Sequence, residues 1–379
     1  MIAYLDNAST TRVSDEAAAA AMKAMTENYG NPSSLHRIGL NAELAVTEAR
    51  KIIAGALGTV QESIFFTSGA TEANNTILYG AAENYGRRKS TVVASSVEHP
   101  SVEEALKKLE GRGFKVKRVQ PRPDGRIYTA DLMECVDHDT FLVSCMLVNN
   151  ETGSVNPVDD IFAAVKQRFP DCLTHTDASQ AFLKLPLKAS ALSADLITVS
   201  GHKVHAPKGI GAMYIAKGVR IAPAFAGGGQ EKGIRPGTEA VPLICAFGAA
   251  AKSQAASIDT AYKNALQLNM TLRKALDGLD YVTVNSDVRT SSPYIINFSV
   301  EGIRSEVMLH FLESRNVFVS SGSACSKGKR SRVLAEMGIS EEDADSAIRV
   351  SFSKMSSWGE VDMLVSAIKE GALTLEKVK

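Results

Sequence analysis

The stretch "ADLITVSGHKVHAPKGIGAMYIA", residues 194–216, decides how the rest of the chain is read. An apolar run from Leu196 to Val199 is followed by Ser200, Gly201, His202 and Lys203, and a second apolar run begins at Ile210. A short β-rich run bounded by Gly and Ser reads as a buried strand, and so does the second run. Lys203 therefore sits where two buried segments are joined. A strongly hydrated ammonium there is either a surface turn residue or an amine used as a reagent.

Working outward, short apolar runs alternate with helix-like segments between about residues 60 and 220. "SIFFTS", "STVVASS", "TFLVSCMLV", "LTHTDAS" and "DLITVS" are the strands, with "TEANNTILYGAAENYG" and "PSVEEALKKLEGRG" as helices between them. Such alternation predicts a largely parallel sheet covered by helices on both faces. Ser101 with Glu104 reads as a capping box opening the second helix, and Gly111 as its stop. A helix-like stretch from about 242 to 280 leads to a second alternating region. There "SPYIINFSV" and "NVFVSSG" read as strands, and "SEVMLHFLESR" and "EVDMLVSAIKEGALTLEKV" as helices. We expect a large domain, 12–255, and a small α+β domain, 256–379, joined by residues 1–11.

Composition bounds the function. The 379 residues are 45% hydrophobic and 22% charged, with 42 basic and 42 acidic side chains. A balanced charge gives no reason to expect nucleic acid or a membrane surface as partner. The start has no basic segment followed by an apolar stretch, and "AVPLICAFGAAA", 240–251, is short for a membrane span. The five cysteines are widely spaced, with no Cys-x-x-Cys pair, which predicts a reducing compartment, the cytoplasm.

A lysine that reacts with carbonyls, followed by carbanion chemistry, needs an electron sink, and pyridoxal phosphate is the common one. Its sites also hold an acid at the pyridine nitrogen, a phosphate cup and a stacking ring. Asp177, at the end of the strand-like "LTHTD", is either that acid or a turn residue. "FTSGATEANN", 66–75, places Ala70 and Thr71 at a helix start, where free N–H groups favour an anion. The alternative is a helix cap built from Ser or Thr. His99, after "TVVASS", is placed to stack or carry protons, or is a surface loop group. Asn150 and Gln180 are candidates to hydrogen-bond the cofactor's phenolic oxygen, or are strand-end turn residues. His202 and His205 stand three apart without further metal-ligand spacing, so no metal is expected. "FAGGGQEKGIRPGTEA", 225–240, lacks the order of a nucleotide P-loop and reads as a flexible loop. Cys325, in "FVSSGSACSKGKRS", precedes Lys327, Lys329 and Arg330, cations that lower a thiol's pKa and favour its reactive form. Arg349 enters a probable strand, either to bind a substrate carboxylate or to form a structural ion pair.

Together and in order, "YLDNASTT", "GNPSSLHRIG", "FTSGATEANN", "EHPSV", "VNNETG", "HTDASQA", "SGHKVHAPKGIGAMY", "GGGQEKGIRPGT" and "SSGSACS" resemble the cysteine desulfurases of the NifS/IscS type. These are pyridoxal 5′-phosphate enzymes of the aspartate-aminotransferase fold, fold type I. The resemblance runs from residue 4 to about 353. It implies Lys203 as the Schiff-base lysine, Asp177 as the pyridinium partner and His99 as the stacking acid–base. Ala70, Thr71, Ser200 and His202 become phosphate and cofactor contacts, with Asn150 and Gln180 at the ring oxygen. Thr238 would reach the phosphate of the neighbouring subunit, implying a homodimer. Cys325 becomes the persulfide-forming nucleophile and Arg349 the substrate-carboxylate arginine. The implied reaction turns L-cysteine into L-alanine and an enzyme persulfide. The sulfur is then handed to an acceptor protein, an iron–sulfur scaffold or a sulfurtransferase. The alternatives are a selenocysteine lyase, an aminotransferase or β-lyase that does not need Cys325, and a non-catalytic sulfur-relay scaffold. Two departures stand out: the segment after Cys325 reads "SKGKRSRVL" where the family commonly has Leu-Glu-Pro-Ser, and Gln230 replaces a histidine of some members.

Overall fold

Residues 2–321 and 331–376 are described by the structure, a computed structural model. Its strands are β1 (Ala3–Tyr4), β2 (Ile64–Thr67), β3 (Thr91–Ser95), β4 (Lys115–Val119), β5 (Thr140–Ser144), β6 (Leu173–Asp177), β7 (Leu196–Ser200), β8 (Gly211–Ile215), β9 (Val282–Val284), β10 (Ile295–Val300), β11 (Val317–Phe318) and β12 (Ala347–Ser351). Seven of them form the main sheet, in the order β2-β8-β7-β6-β5-β3-β4. All its pairings are parallel except the two made by β8.

The apolar runs predict this sheet because both of their faces are buried. In β3, Val92 and Ala94 pack with Leu142, Leu196 and Met213 on one side, while Val93 packs with Val143, Ile197 and Val199 on the other. Strands covered on both faces read as continuous hydrophobic runs. The exception is β4, "KVKRV", whose charges lie on an edge strand, where they discourage pairing with another chain.

Ahead of β2 lie helices α1 (Asp15–Thr26) and α2 (Arg37–Ala56), followed by α3 (Ala70–Tyr85), α4 (Pro100–Glu110), α5 (Thr129–Cys135), α6 (Val158–Arg168) and α7 (Val241–Ala256). Ala73, Ile77 and Leu78 of α3 and Leu106 of α4 cover one face of the sheet. Ala17, Ile53, Phe162 and Phe247, from α1, α2, α6 and α7, cover the other.

The expected long helix over 242–280 is two helices, α7 and α8 (Ile258–Asp277), bent by 70° at Ser257. The apolar pattern changes there: α7 is buried on several sides, whereas α8 presents one apolar face. Among the described residues, no single helix is long and apolar enough to cross a membrane. Beyond α8, the antiparallel sheet β12-β10-β9 packs with α9 (Ser305–Ser314), α10 (Arg332–Glu336), α11 (Glu341–Asp345) and α12 (Trp358–Thr374). The N-terminal β1 pairs with β11, and among the described residues of "NVFVSSG" the strand covers Val317 and Phe318.

The predicted capping box is absent. α4 starts at Pro100, whose fixed φ suits a first helical position, so the cap falls on His99, whose ring accepts from the Ser101 amide. Gly111 does end the helix. The stretch 225–240 is no free loop either. Glu231, in a left-handed conformation at φ 47°, is buried and accepts from both Arg50 guanidinium nitrogens, at 2.6 and 2.7 Å, and from the Phe66 amide at 2.9 Å.

Candidate functional site

The parallel strands all end at one rim, and a crevice outside their carboxyl ends is where open α/β sheets bind ligands. Here that rim encloses a cavity of about 620 Å³. β2 leads through Ser68 and Gly69 into the first turn of α3, so Ala70 and Thr71 line it. β3 delivers His99, β6 delivers Asp177 and Gln180, and β7 delivers Ser200, His202 and Lys203. Asn150 and Arg349 complete the wall. Thr238 is exposed and does not line this cavity. Cys325 lies outside the described residues.

Lys203 projects from the turn Gly201–Lys203, and its Nζ donates to the carbonyls of Ala8 and Ser9, at 2.6 Å each. β8 can start against the connection from β2 to α3 because position 211 is glycine: a Cβ there would stand 2.8 Å from the Gly69 Cα. Lys203 is neither a surface turn residue nor buried in the core; it faces the cavity.

Asp177, 4% exposed, receives Asn74 Nδ2 at 2.8 Å on one oxygen and the Ser179 amide at 2.9 Å on the other. Asn74 also donates to Ser101 Oγ at 2.9 Å, and that hydroxyl is 2.8 Å from His99 Nδ1. Asp177 and His99 are therefore linked through two intervening side chains. Burial holds the His99 imidazole below the ordinary histidine value, opposed by Asp177 and reinforced by Lys203. His202 is pushed down to about 3 by burial and by Lys203. Arg349 is engaged by Asp6 Oδ1 at 2.7 Å, Ser9 Oγ at 2.6 Å and the Asn150 carbonyl at 2.9 Å. Both readings of Arg349 thus meet in one side chain: it forms a buried ion pair and it lines the cavity.

The cavity's polar groups fit pyridoxal phosphate. α3 begins with Gly69 as a cap that offers no side-chain hydrogen bond, so the Ser or Thr cap foreseen as the alternative is not there. Ser200 Oγ is buried without a hydrogen-bond partner among the described residues. An uncapped helix start beside an orphaned hydroxyl suits a phosphate. The buried Asp177 suits a protonated ring nitrogen, and Lys203 suits a carbonyl carbon.

Asn74, Asp6 and Ser9 belong to the site although the sequence motifs do not mark them. Asn74 was readable: it stands four positions after Ala70, on the same helical face. Asp6 and Ser9 reach Arg349 across 343 and 340 positions, which no local pattern reports. Asn74→Ala strips a donor from a buried carboxylate and is expected to cost about 1–3 kcal/mol. Urea unfolding of the variant measures this.

A model of the class-V aminotransferase family matches residues 3–364. The chain belongs to that family. Class-V aminotransferases depend in general on pyridoxal phosphate. A cysteine desulfurase of Trichormus azollae is 37% identical over 97% of this chain and 92% of that protein. Among solved structures, one described as a NifS-like protein superposes with a TM-score of 0.94, at 37% identity, over 99% of this chain and all of that one. SspA in complex with cysteine matches with a TM-score of 0.83 at 32% identity, covering 93% of this chain and 99% of that one. The mixed α/β fold with its mostly parallel sheet is that of these class-V relatives.

The family's cavity in this chain has a consequence for acid stability. His175 and His205 are pushed down to about 4, chiefly by burial, and join His99 and His202 as imidazoles held neutral. Below pH 6.5 the unfolded chain binds these protons and the fold does not, so their contribution is complete above that pH and is lost as pH falls. Glu98, raised to about 7 by burial, and Glu151, also raised by burial, work in the opposite direction. The four histidines outnumber them. The unfolding free energy measured in urea is expected to fall between pH 6.5 and 5, by at most roughly 3 kcal/mol per pH unit, and the urea midpoint with it. A midpoint that rises over this range contradicts the burial of neutral imidazoles.

Proposed function

We propose that this chain is a pyridoxal-phosphate-dependent cysteine desulfurase. It removes sulfur from L-cysteine, releases L-alanine and leaves a persulfide on Cys325 for an acceptor protein. One observation carries the reading: Lys203, Asp177, His99 and the uncapped start of α3 meet in one cavity of a class-V chain. The similarity to proteins named cysteine desulfurase supports the choice of substrate.

In this reading the α3 amides, Thr71 and Ser200 would hold the phosphate, Lys203 would hold the cofactor through its aldehyde carbon and Asp177 would hold the ring nitrogen. His99 would face the ring, while Asn150 and Gln180 would serve its phenolic oxygen. The bound cofactor supplies an electron sink for the charge left when a proton departs from the substrate's Cα. Arg349 would grip the substrate carboxylate, and the Lys203 amine would take the α-proton. The Cys325 thiolate then attacks the substrate sulfur. A new S–S bond forms and the Cβ–S bond breaks, its electron pair staying with carbon. Protonation of that carbon, and return of the proton from Lys203 to Cα, give alanine.

The proposed homodimer, with Thr238 serving the neighbouring site, is supported by an exposed apolar surface on α1, α2 and their connection: Met22, Met25, Tyr29, Leu35, Leu40 and Leu44. The proposed division into 12–255 and 256–379 with residues 1–11 is supported by the separation of the seven-stranded from the three-stranded sheet and by the pairing of β1 with β11.

The test is to incubate the cofactor-loaded protein with L-cysteine and measure alanine, sulfide and the mass of the Cys325 peptide. Stoichiometric alanine and the gain of one sulfur atom are expected. No alanine and no sulfur on Cys325, with cofactor bound, overturn the proposal. Faster alanine release from selenocysteine, with Cys325→Ala unimpaired, would point instead to a selenocysteine lyase.

A further inference from the structure

Lys184 is a lysine without a place in the proposed reaction. It is 4% exposed, in the turn that follows β6, four residues beyond Gln180. Its Nζ lies 3.4 Å from Gln180 Oε1 and 5.8 Å from the centre of the Tyr294 ring. The charged groups that act on it are Lys203 and Arg349, both cations, and His202 and His205 feel its charge in turn. Burying an amine among cations is costly, so its retention there calls for a role.

We propose that Lys184 is a positioning residue: it holds the side-chain oxygen of Gln180, so that the Gln180 amide group presents its N–H donors to Ala8 and to the cavity. The inference rests on the proposed function, because it takes Gln180 as a donor to the cofactor's ring oxygen. In the structure Gln180 Nε2 donates to the Ala8 carbonyl at 2.8 Å, the same carbonyl that receives Lys203. Turning the amide over would set its NH₂ against the Lys184 donor and its oxygen against that carbonyl. Both contacts therefore favour one orientation, and an amide nitrogen has a second hydrogen left to give.

The protonation state of Lys184 matters to this arrangement. An ammonium only donates, whereas a neutral amine also accepts and tolerates either orientation. Burial, with Lys203 and Arg349 adding to it, pushes Lys184 down to about 7, so the lock is strongest below neutrality and loosens above it.

Two measurements test the proposal. In cofactor-free protein, the Gln180 side-chain amide resonances, identified by their absence in Gln180→Leu, are followed by NMR as pH is raised. In the wild type they are expected to shift near neutrality, and in Lys184→Met that shift is expected to be lost. In the loaded enzyme, the pH midpoint of the bound cofactor's absorbance is measured for Lys184→Met, Gln180→Leu and the double variant. Each single change is expected to move the midpoint by about half a pH unit or more. The double variant is expected to move no further than Gln180→Leu, since coupled residues are not additive. Additive shifts, or Gln180 resonances equal in wild type and Lys184→Met, overturn the proposal. Lys184→Gln, with a shorter neutral side chain, replaces Lys184→Met in both measurements if the latter does not fold. A wild type that takes up no cofactor would end the proposed function, while the amide resonances would still judge Lys184.

Discussion

Lys203→Ala is expected to lower alanine formation from L-cysteine by at least about 10³-fold and to abolish the imine absorbance of the cofactor-treated protein. Two losses combine. The amine that condenses with the aldehyde is gone, and so is the base for the α-proton; a positioned acid or base alone is worth roughly 10²–10⁴-fold. The fold should survive. Lys203 Nζ donates to two backbone carbonyls, from Ala8 and Ser9, and the Ala8 carbonyl keeps Gln180 Nε2 as a donor when the lysine is removed. A substitution that left turnover within tenfold of the wild type, with unfolding unchanged, would remove Lys203 from the chemistry.

Arg349→Ala is expected to cost on two counts, which separate experimentally. Its guanidinium is 3% exposed and that of its partner carboxylate, Asp6, 21%. Breaking a buried pair costs roughly 3–5 kcal/mol because the remaining charge is uncompensated. Asp6 keeps some solvent and Ser9 Oγ as a donor at 2.8 Å, so the lower end of that range is expected in urea unfolding. The second count is substrate binding. Hydrogen bonds to a charged group contribute about 1.5–3 kcal/mol, which predicts a roughly 10- to 100-fold rise in KM for L-cysteine. Arg349→Lys keeps the charge but loses the planar fork, so it should recover more stability than KM. A destabilised Arg349→Ala with unchanged KM would make Arg349 a purely structural ion pair.

Much of the site was legible because its residues lie where strands end. Asp177 closes β6, Ser200 closes β7 and Lys203 follows two residues after Gly201, so the apolar runs alone bring them to one rim. The start of α3 was half legible: the stretch 66–75 allowed either an anion site or a Ser or Thr cap, and only the fold shows Gly69 in the cap position with no side-chain hydrogen bond. His99 was found, but its part in starting α4 was not, because the Ser-x-x-Glu pattern of Ser101 and Glu104 outweighed Pro100 in the reading. The single long helix over 242–280 failed for a related reason: composition shows that a segment is helical but not where packing bends it.

Residues far apart in the chain were a different matter. Arg349 in β12 could be read as a carboxylate binder or as half of an ion pair, and only the return of residues 6–9 to its side shows that it is paired. Glu231 lay in a glycine-rich stretch that reads as free loop, yet it is fixed by Arg50 and the Phe66 amide, 165 positions away. Lys184 gave no signal at all.

By itself, the order of residues determined the family, the α/β class and the set of groups that strand ends carry to a common edge, because hydrophobic periodicity and short motifs are properties of neighbours along the chain. Which of those groups are charged, paired or oriented was decided only by tertiary structure. Burial, hydrogen bonding and cation–carboxylate distance depend on contacts between segments hundreds of residues apart, and these exist only once the chain has folded.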